Sequence, residues 1–119
     1  MSELSGKAES FVCRWLEDRG WRIVARNFRT RRSEIDIVAV LSDLTAFVEV
    51  KFASDGSRTV ALEKIDGEKQ SRIIHAASMY LAENPPAGEL RFDVAIVGGT
   101  PDEFRMETYL EDAFRPDIM

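Results

Sequence analysis

Apolar residues recur at helical spacing near the start of the chain. Ala8, Phe11, Val12, Trp15 and Leu16 form one stripe of a helix expected over 3–19, and Gly20 supplies a stop. Ser5 is the candidate N-cap, with Ser2 the alternative. The period then shortens. Residues 21–28 (W-R-I-V-A-R-N-F) predict a first strand with Trp21, Ile23 and Ala25 on one face. T-R-R-S turns the chain into two further runs, 34–41 and 45–52, rich in Ile, Val and Phe and separated by Ser42-Asp43. Patterning is weak over 53–64, where Ser54, Asp55, Gly56 and Ser57 cluster and predict a mobile loop. Asp66 then caps a second helix over 67–83, with Ile73, Ile74, Ala77, Tyr80 and Leu81 as its buried stripe and Asn84-Pro85-Pro86 as its end. Leu90–Val97 predicts a fourth strand closed by Gly98-Gly99. Residues 104–110 predict an edge strand, and the acidic tail is expected to pack loosely. The order α-β-β-β-α-β, with a final β, predicts an α/β or α+β fold: a mixed sheet flanked by helices.

Charges interrupt this pattern where an apolar strand should have none. Asp36 lies within I-D-I-V, and Glu49 and Lys51 lie within F-V-E-V-K. A hairpin closed around Ser42 and Asp43 pairs residues whose numbers sum to 85, so Asp36 faces Glu49. Opposed side chains share a face with Cβ atoms roughly 4.5–5.5 Å apart. Lys51, two residues beyond Glu49, joins them. Facing carboxylates repel and call for a cation, and a hard ion such as Mg²⁺ or Mn²⁺ suits their oxygens. A bulge in either strand would throw the pair onto opposite faces.

Composition narrows the class. A chain of 119 residues with 45% hydrophobic content predicts one folded domain, 1–119, with a real core. No apolar run approaches a membrane span and M-S-E-L-S-G-K lacks signal-peptide character, which predicts a cytoplasmic protein without a membrane partner. One Cys and one His argue against zinc, and Cys13 and His75 read as structural. The net charge of −5 is uneven: residues 1–32 hold eight Lys/Arg against four Asp/Glu, and residues 33–119 hold eight against seventeen. Arg29, Arg31 and Arg32 end a basic run beside the carboxylates that could hold a phosphate backbone. Solvated strand and loop is the plainer reading, and a pI near 4.9 opposes tight nonspecific binding of nucleic acid. Arg91 and Asp93, alternate residues of the fourth strand, read as a salt bridge.

Taken together, Asp36, Glu49 and Lys51 write D-x(12)-E-x-K. Two carboxylates can hold a metal that polarises a phosphoryl oxygen and acidifies a bound water, and a lysine on the same face can orient that water or meet charge on the phosphate. That is how a phosphodiester hydrolase would be built on a sheet, although a surface salt-bridged hairpin would carry the same pattern.

S-E-I-D-I-V followed by F-V-E-V-K resembles the YraN-type family of uncharacterised bacterial proteins, with G-E-I-D-L-I then F-V-E-V-K as hallmark. The likeness spans residues 6–114 and includes G-K-A-E at 6–9, R-N-F-R at 26–29, K-Q-S-R at 69–72, R-F-D-V at 91–94 and A-F at 113–114. That family is similar to restriction-endonuclease-like nucleases, archaeal Holliday-junction resolvases in particular. The resemblance implies a restriction-endonuclease-like core and a metal site of Glu9, Asp36, Glu49 and the Val50 carbonyl, with Lys51 beside it. It also implies that Lys69 and Gln70 touch substrate. Two departures stand out: Ser33 replaces the usual Gly, and Phe52-Ala53 follow the lysine where many members place an arginine. The expectation is a Mg²⁺- or Mn²⁺-dependent endonuclease acting on DNA, branched or structured. A resolvase would also need to be a homodimer. The alternatives are a noncatalytic nucleic-acid-binding or adaptor protein, and a buried ion-pair network with only a structural role.

Overall fold

The computed structural model describes residues 3–53 and 62–116. Its elements are α1 (Glu3–Glu17), β1 (Arg22–Arg29), β2 (Glu34–Leu41), β3 (Leu44–Phe52), α2 (Gly67–Glu83), β4 (Leu90–Thr100) and β5 (Glu103–Phe114). The strands form one sheet in the order β1-β2-β3-β4-β5. β3 and β4 are parallel and the other pairs antiparallel, because α2 carries the chain back between them. This is a mixed α+β fold, a five-stranded sheet with a helix on each face. Of the loop expected over 53–64, residues 54–61 lie outside the described residues, while Ala53 is buried.

Local chemistry sets the helix ends. Gly20 takes φ +93, and the Gly20 and Trp21 N–H groups donate to the Glu17 and Leu16 carbonyls, a Schellman closure that aims the chain into β1. Asp66 accepts a hydrogen bond from Lys69 N at 2.9 Å and caps α2 as its sequence predicts. Ser5, by contrast, lies inside α1, and the alternative cap Ser2 is outside the described residues.

Each helix covers one face of the sheet. Val12, Cys13 and Leu16 of α1 pack on Ile37, Ala39, Ala46, Val48, Ala95 and Val97. Ile73, Ala76 and Ala77 of α2 pack on Val38, Phe47, Phe92, Val94 and Ile96. β4 is buried on both faces, which explains its nearly unbroken apolar sequence. Each large side chain so buried contributes about 1.5–3 kcal/mol. The expected Cys13 thiol is buried and His75 is exposed.

Three expectations are corrected. A register shift between Ile23 and Ala25 puts Ala25 with the α2-side core, whereas Trp21 and Ile23 pack on the α1 side. Gly98-Gly99 do not close β4; the strand runs through them to Thr100. A Cβ on Gly98 would lie 2.2 Å from Glu107 Oε1, and one on Gly99 2.3 Å from the Glu103 carbonyl oxygen, so the glycines admit β5 rather than end β4. Gly99 also has φ +87. Gly99→Ala should therefore cost about 1–3 kcal/mol in urea unfolding, and a loss near zero would show that the hairpin relaxes freely. Finally, the tail is not loose up to Phe114, which stacks on Phe92 at 5.1 Å.

Candidate metal centre

β2 and β3 pair from Leu41↔Leu44 to Ile37↔Val48, the register the two-residue turn predicts. One step further the ladder gives way, and the Val50 N–H donates to Asp36 Oδ2 at 2.8 Å. Strict alternation fails at the same point, since Ile35 packs with the α2-side core and Ile37 with the α1-side core. Asp36 thus stands in the notch where the strands part. Its carboxyl hydrogen-bonds Glu49 across that notch.

From α1, Glu9 reaches the same place. One carboxylate oxygen each from Glu9, Glu34 and Asp36 lie within 4.8 Å of one another, and Glu49 adjoins Asp36. Glu9, Asp36 and Glu49 are 4%, 8% and 5% exposed, a costly state for carboxylates. Burial accordingly raises the pKa of Glu9, against the hydrogen bond from Asn27 that lowers it. Asp36 is pushed up to about 9, first by burial, then by its hydrogen bond and charge repulsion with Glu49; the Val50 N–H opposes the shift.

Basic side chains ring the cluster. Arg26 lies 3.9 Å from Glu9 Oε1 and Arg29 Nε 2.6 Å from Glu34 Oε2. Lys69 Nζ, from the first turn of α2, lies 3.3 Å from Glu49 Oε2 without hydrogen-bond geometry. Glu9 Oε1 likewise accepts no hydrogen bond. Lys51 is half-buried on the face of Glu49, because β3 sends Phe47 and Ala53 to the α2 side and Val48, Val50 and Phe52 to the other. Gln70 donates to the Ile65 carbonyl at 3.1 Å, and Arg31 and Arg32 are exposed on the turn before β2.

The structure therefore brings Glu9, Asp36, Glu49, Lys51, Lys69 and Arg29 to one end of the sheet. It engages Val50 through its N–H. Gln70 is drawn back to its own helix start. Glu34 and Asn27 escape the sequence reasoning, and Arg26, a member there of the basic run, is found beside Glu9. Glu34 has a usable signal, since it precedes Asp36 by two in the same strand. Asn27, at φ +52, and Arg26 reach Glu9 through an irregularity of β1 that no periodicity announces. The donors are all hard oxygens, and Glu9 Oε1 is buried without a hydrogen bond, so the residues fit a Mg²⁺- or Mn²⁺-sized cation.

A mixed sheet with a helix on each face and acidic residues gathered where two strands part is consistent with a restriction-endonuclease-like core. More narrowly, the chain belongs to the uncharacterised protein family UPF0102, whose family model matches residues 8–97. It is 38% identical to a UPF0102 protein of Chlorobium phaeobacteroides, covering 94% of both chains. It is 36% identical to one of Pseudomonas putida strain GB-1, covering 90% of this chain and 89% of the relative. A Halorhodospira halophila member is 38% identical, over 93% of this chain and 86% of its own. Among the described residues, no helix is long and apolar enough to cross a membrane.

Proposed function

We propose that the protein is a divalent-cation-dependent endonuclease hydrolysing DNA phosphodiester bonds. The observation that carries this reading is the convergence of buried Glu9 and Asp36 and half-buried Glu34 within 4.8 Å, with Glu49 against Asp36. Gathering carboxylates in so little solvent is costly, and a divalent cation would offset that cost more completely than the Arg26, Arg29 and Lys69 ion pairs alone. Glu9, Glu34, Asp36 and Glu49 would hold Mg²⁺ or Mn²⁺, with the Val50 carbonyl as a further ligand. The ion would supply Lewis-acid polarisation of the phosphoryl oxygen and a more acidic water. Lys51, on the face of Glu49, orients that water or meets charge developing on the phosphate. Arg29, Arg31, Arg32 and Lys69 supply positive charge for the backbone on either side. A branched or structured DNA, cut by a homodimer, is the substrate form that the resolvase resemblance favours.

One observation favours a noncatalytic adaptor instead: Glu34 and Glu49 already have internal counter-ions in Arg29 and Lys69. Cleavage assays with Mn²⁺ on linear and branched DNA separate the two. Lys51→Met should lower the cleavage rate by about 10²-fold or more, the size of losing one transition-state donor, while binding metal as the wild type does. If metal-saturated wild type cuts nothing across the panel, the adaptor reading stands.

A further inference from the structure

We propose that Arg29 is a phosphate clamp held in check by Glu34 and released when a divalent cation binds. The inference rests on the metal reading above and assigns the coupling between metal and nucleic acid to one ion pair. Arg29 and Glu34 are cross-strand partners in the β1–β2 ladder, flanking the Thr30–Ser33 turn. Arg29 Nε lies 2.6 Å from Glu34 Oε2. The arginine side chain is 59% exposed and so reaches solvent, whereas the glutamate is 30% exposed and faces inward to the cluster.

Glu34 serves two neighbours at once. It holds Arg29, and it places a carboxylate oxygen within 4.8 Å of Glu9 and Asp36. Glu9 Oε1 is buried there with no hydrogen bond, facing the Arg26 guanidinium at 3.9 Å, so the cluster has an oxygen left to give a cation. A divalent ion on these carboxylates withdraws the negative charge that attracts the guanidinium. Arg29 then stands free on a turn that also carries the exposed Arg31 and Arg32. A guanidinium is the side chain best shaped to take a phosphate through two parallel N–H groups. Metal and nucleic acid then favour each other's binding by one and the same factor.

The test measures the affinity of a short fluorescein-labelled duplex DNA by anisotropy, with Ca²⁺ and with EDTA, and Ca²⁺ affinity by calorimetry. Ca²⁺ should strengthen DNA binding of the wild type by roughly fivefold or more, the lower end of typical coupling between sites. In Arg29→Ala that gain should vanish and Ca²⁺ should bind more tightly. Arg31→Ala should weaken DNA binding equally in both conditions, leaving the gain intact. Glu34→Gln should bind DNA in EDTA as tightly as the wild type does with Ca²⁺, and adding Arg29→Ala should erase this. If Arg29→Ala keeps the Ca²⁺ gain, or the Glu34→Gln gain survives in the double variant, the clamp is wrong and Arg29 only braces the turn. Wild type that takes up no Ca²⁺, Mg²⁺ or Mn²⁺ would instead remove the metal reading beneath it; the EDTA comparison of the two Glu34 variants still reads the ion pair by itself.

Discussion

Asp36→Asn should melt at a higher temperature than the wild type in EDTA and should bind no divalent cation. The reason lies in the proton that Asp36 holds. Its folded-state pKa of about 9 lies above the value of 3.8 expected for an unperturbed aspartate. Between those values the native protein keeps a proton that the unfolded chain has released, so stability falls as pH rises through the window, at most about 1.4 kcal/mol per unit. This is the reverse of a salt-bridged aspartate, which gains stability as pH rises. Asparagine keeps an acceptor for the Val50 N–H and offers its amide to Glu49, mimicking the protonated acid without titrating. The gap between variant and wild type should therefore widen from pH 5 to pH 8, reaching on the order of 2–4 kcal/mol. Saturating Mg²⁺ should close it from the other side, since metal at a hundred times its Kd adds about 2.7 kcal/mol to the wild type and nothing to the variant. Paired melts at three pH values with and without Mg²⁺ are the measurement. A variant less stable than wild type in EDTA at pH 8 would mean that Asp36 is ionised and paired as a structural residue.

Most of the fold is legible because its signals are local. Period-2 alternation and a two-residue turn set the β2–β3 register to within the last step, and Asp66 and Asn84-Pro85 bound α2. What escapes depends on distant chain. Ala25 changes face through a register shift against β2, and Gly98 makes room for Glu107, nine residues on. Phe114 is held by Phe92 rather than by its neighbours. Nothing within a short window records any of these.

The site divides in the same way. Asp36, Glu49 and Lys51 announce themselves as charges in apolar strands, because burying them has a cost that must be offset somewhere. Glu9 reads from its own helix as a solvated first-turn acid; only the family resemblance brings it in, and the structure buries it at 4% exposure. Glu34 hides because an acidic residue opening a strand after a polar turn looks ordinary. Asp93 shows the limit of the criterion. It too is a charge in an apolar strand, yet its surroundings make it something different.

Asp93→Ala should cost about 3–5 kcal/mol, the loss expected when one partner of a buried ion pair is removed, and Mg²⁺ should not restore any of it. Asp93 is fully buried, and its two oxygens accept four hydrogen bonds. Arg91 donates through Nε at 2.8 Å and Nη2 at 2.9 Å, the Tyr109 hydroxyl at 2.7 Å and Asp112 N at 2.9 Å. Asp112 has φ +54 in the irregular stretch where β5 slips against β4 between Phe92 and Val94. The carboxylate thus pins a bulge as well as a charge. Its hydrogen bond to Arg91 holds that guanidinium's pKa up, and burial with the nearby negative charge raises that of Tyr109. Alanine leaves Arg91, at 18% side-chain exposure, without its buried partner and strands the Tyr109 hydroxyl. For a chain of this size the loss corresponds to a Tm drop on the order of 10–20 °C. Urea unfolding of Asp93→Ala beside Asp36→Asn separates the two aspartates: the first falls and ignores metal, the second rises and forfeits it. Were Asp93→Ala to unfold within about 1 kcal/mol of wild type, a water network in the vacated space would be serving the four donors as well as the carboxylate does.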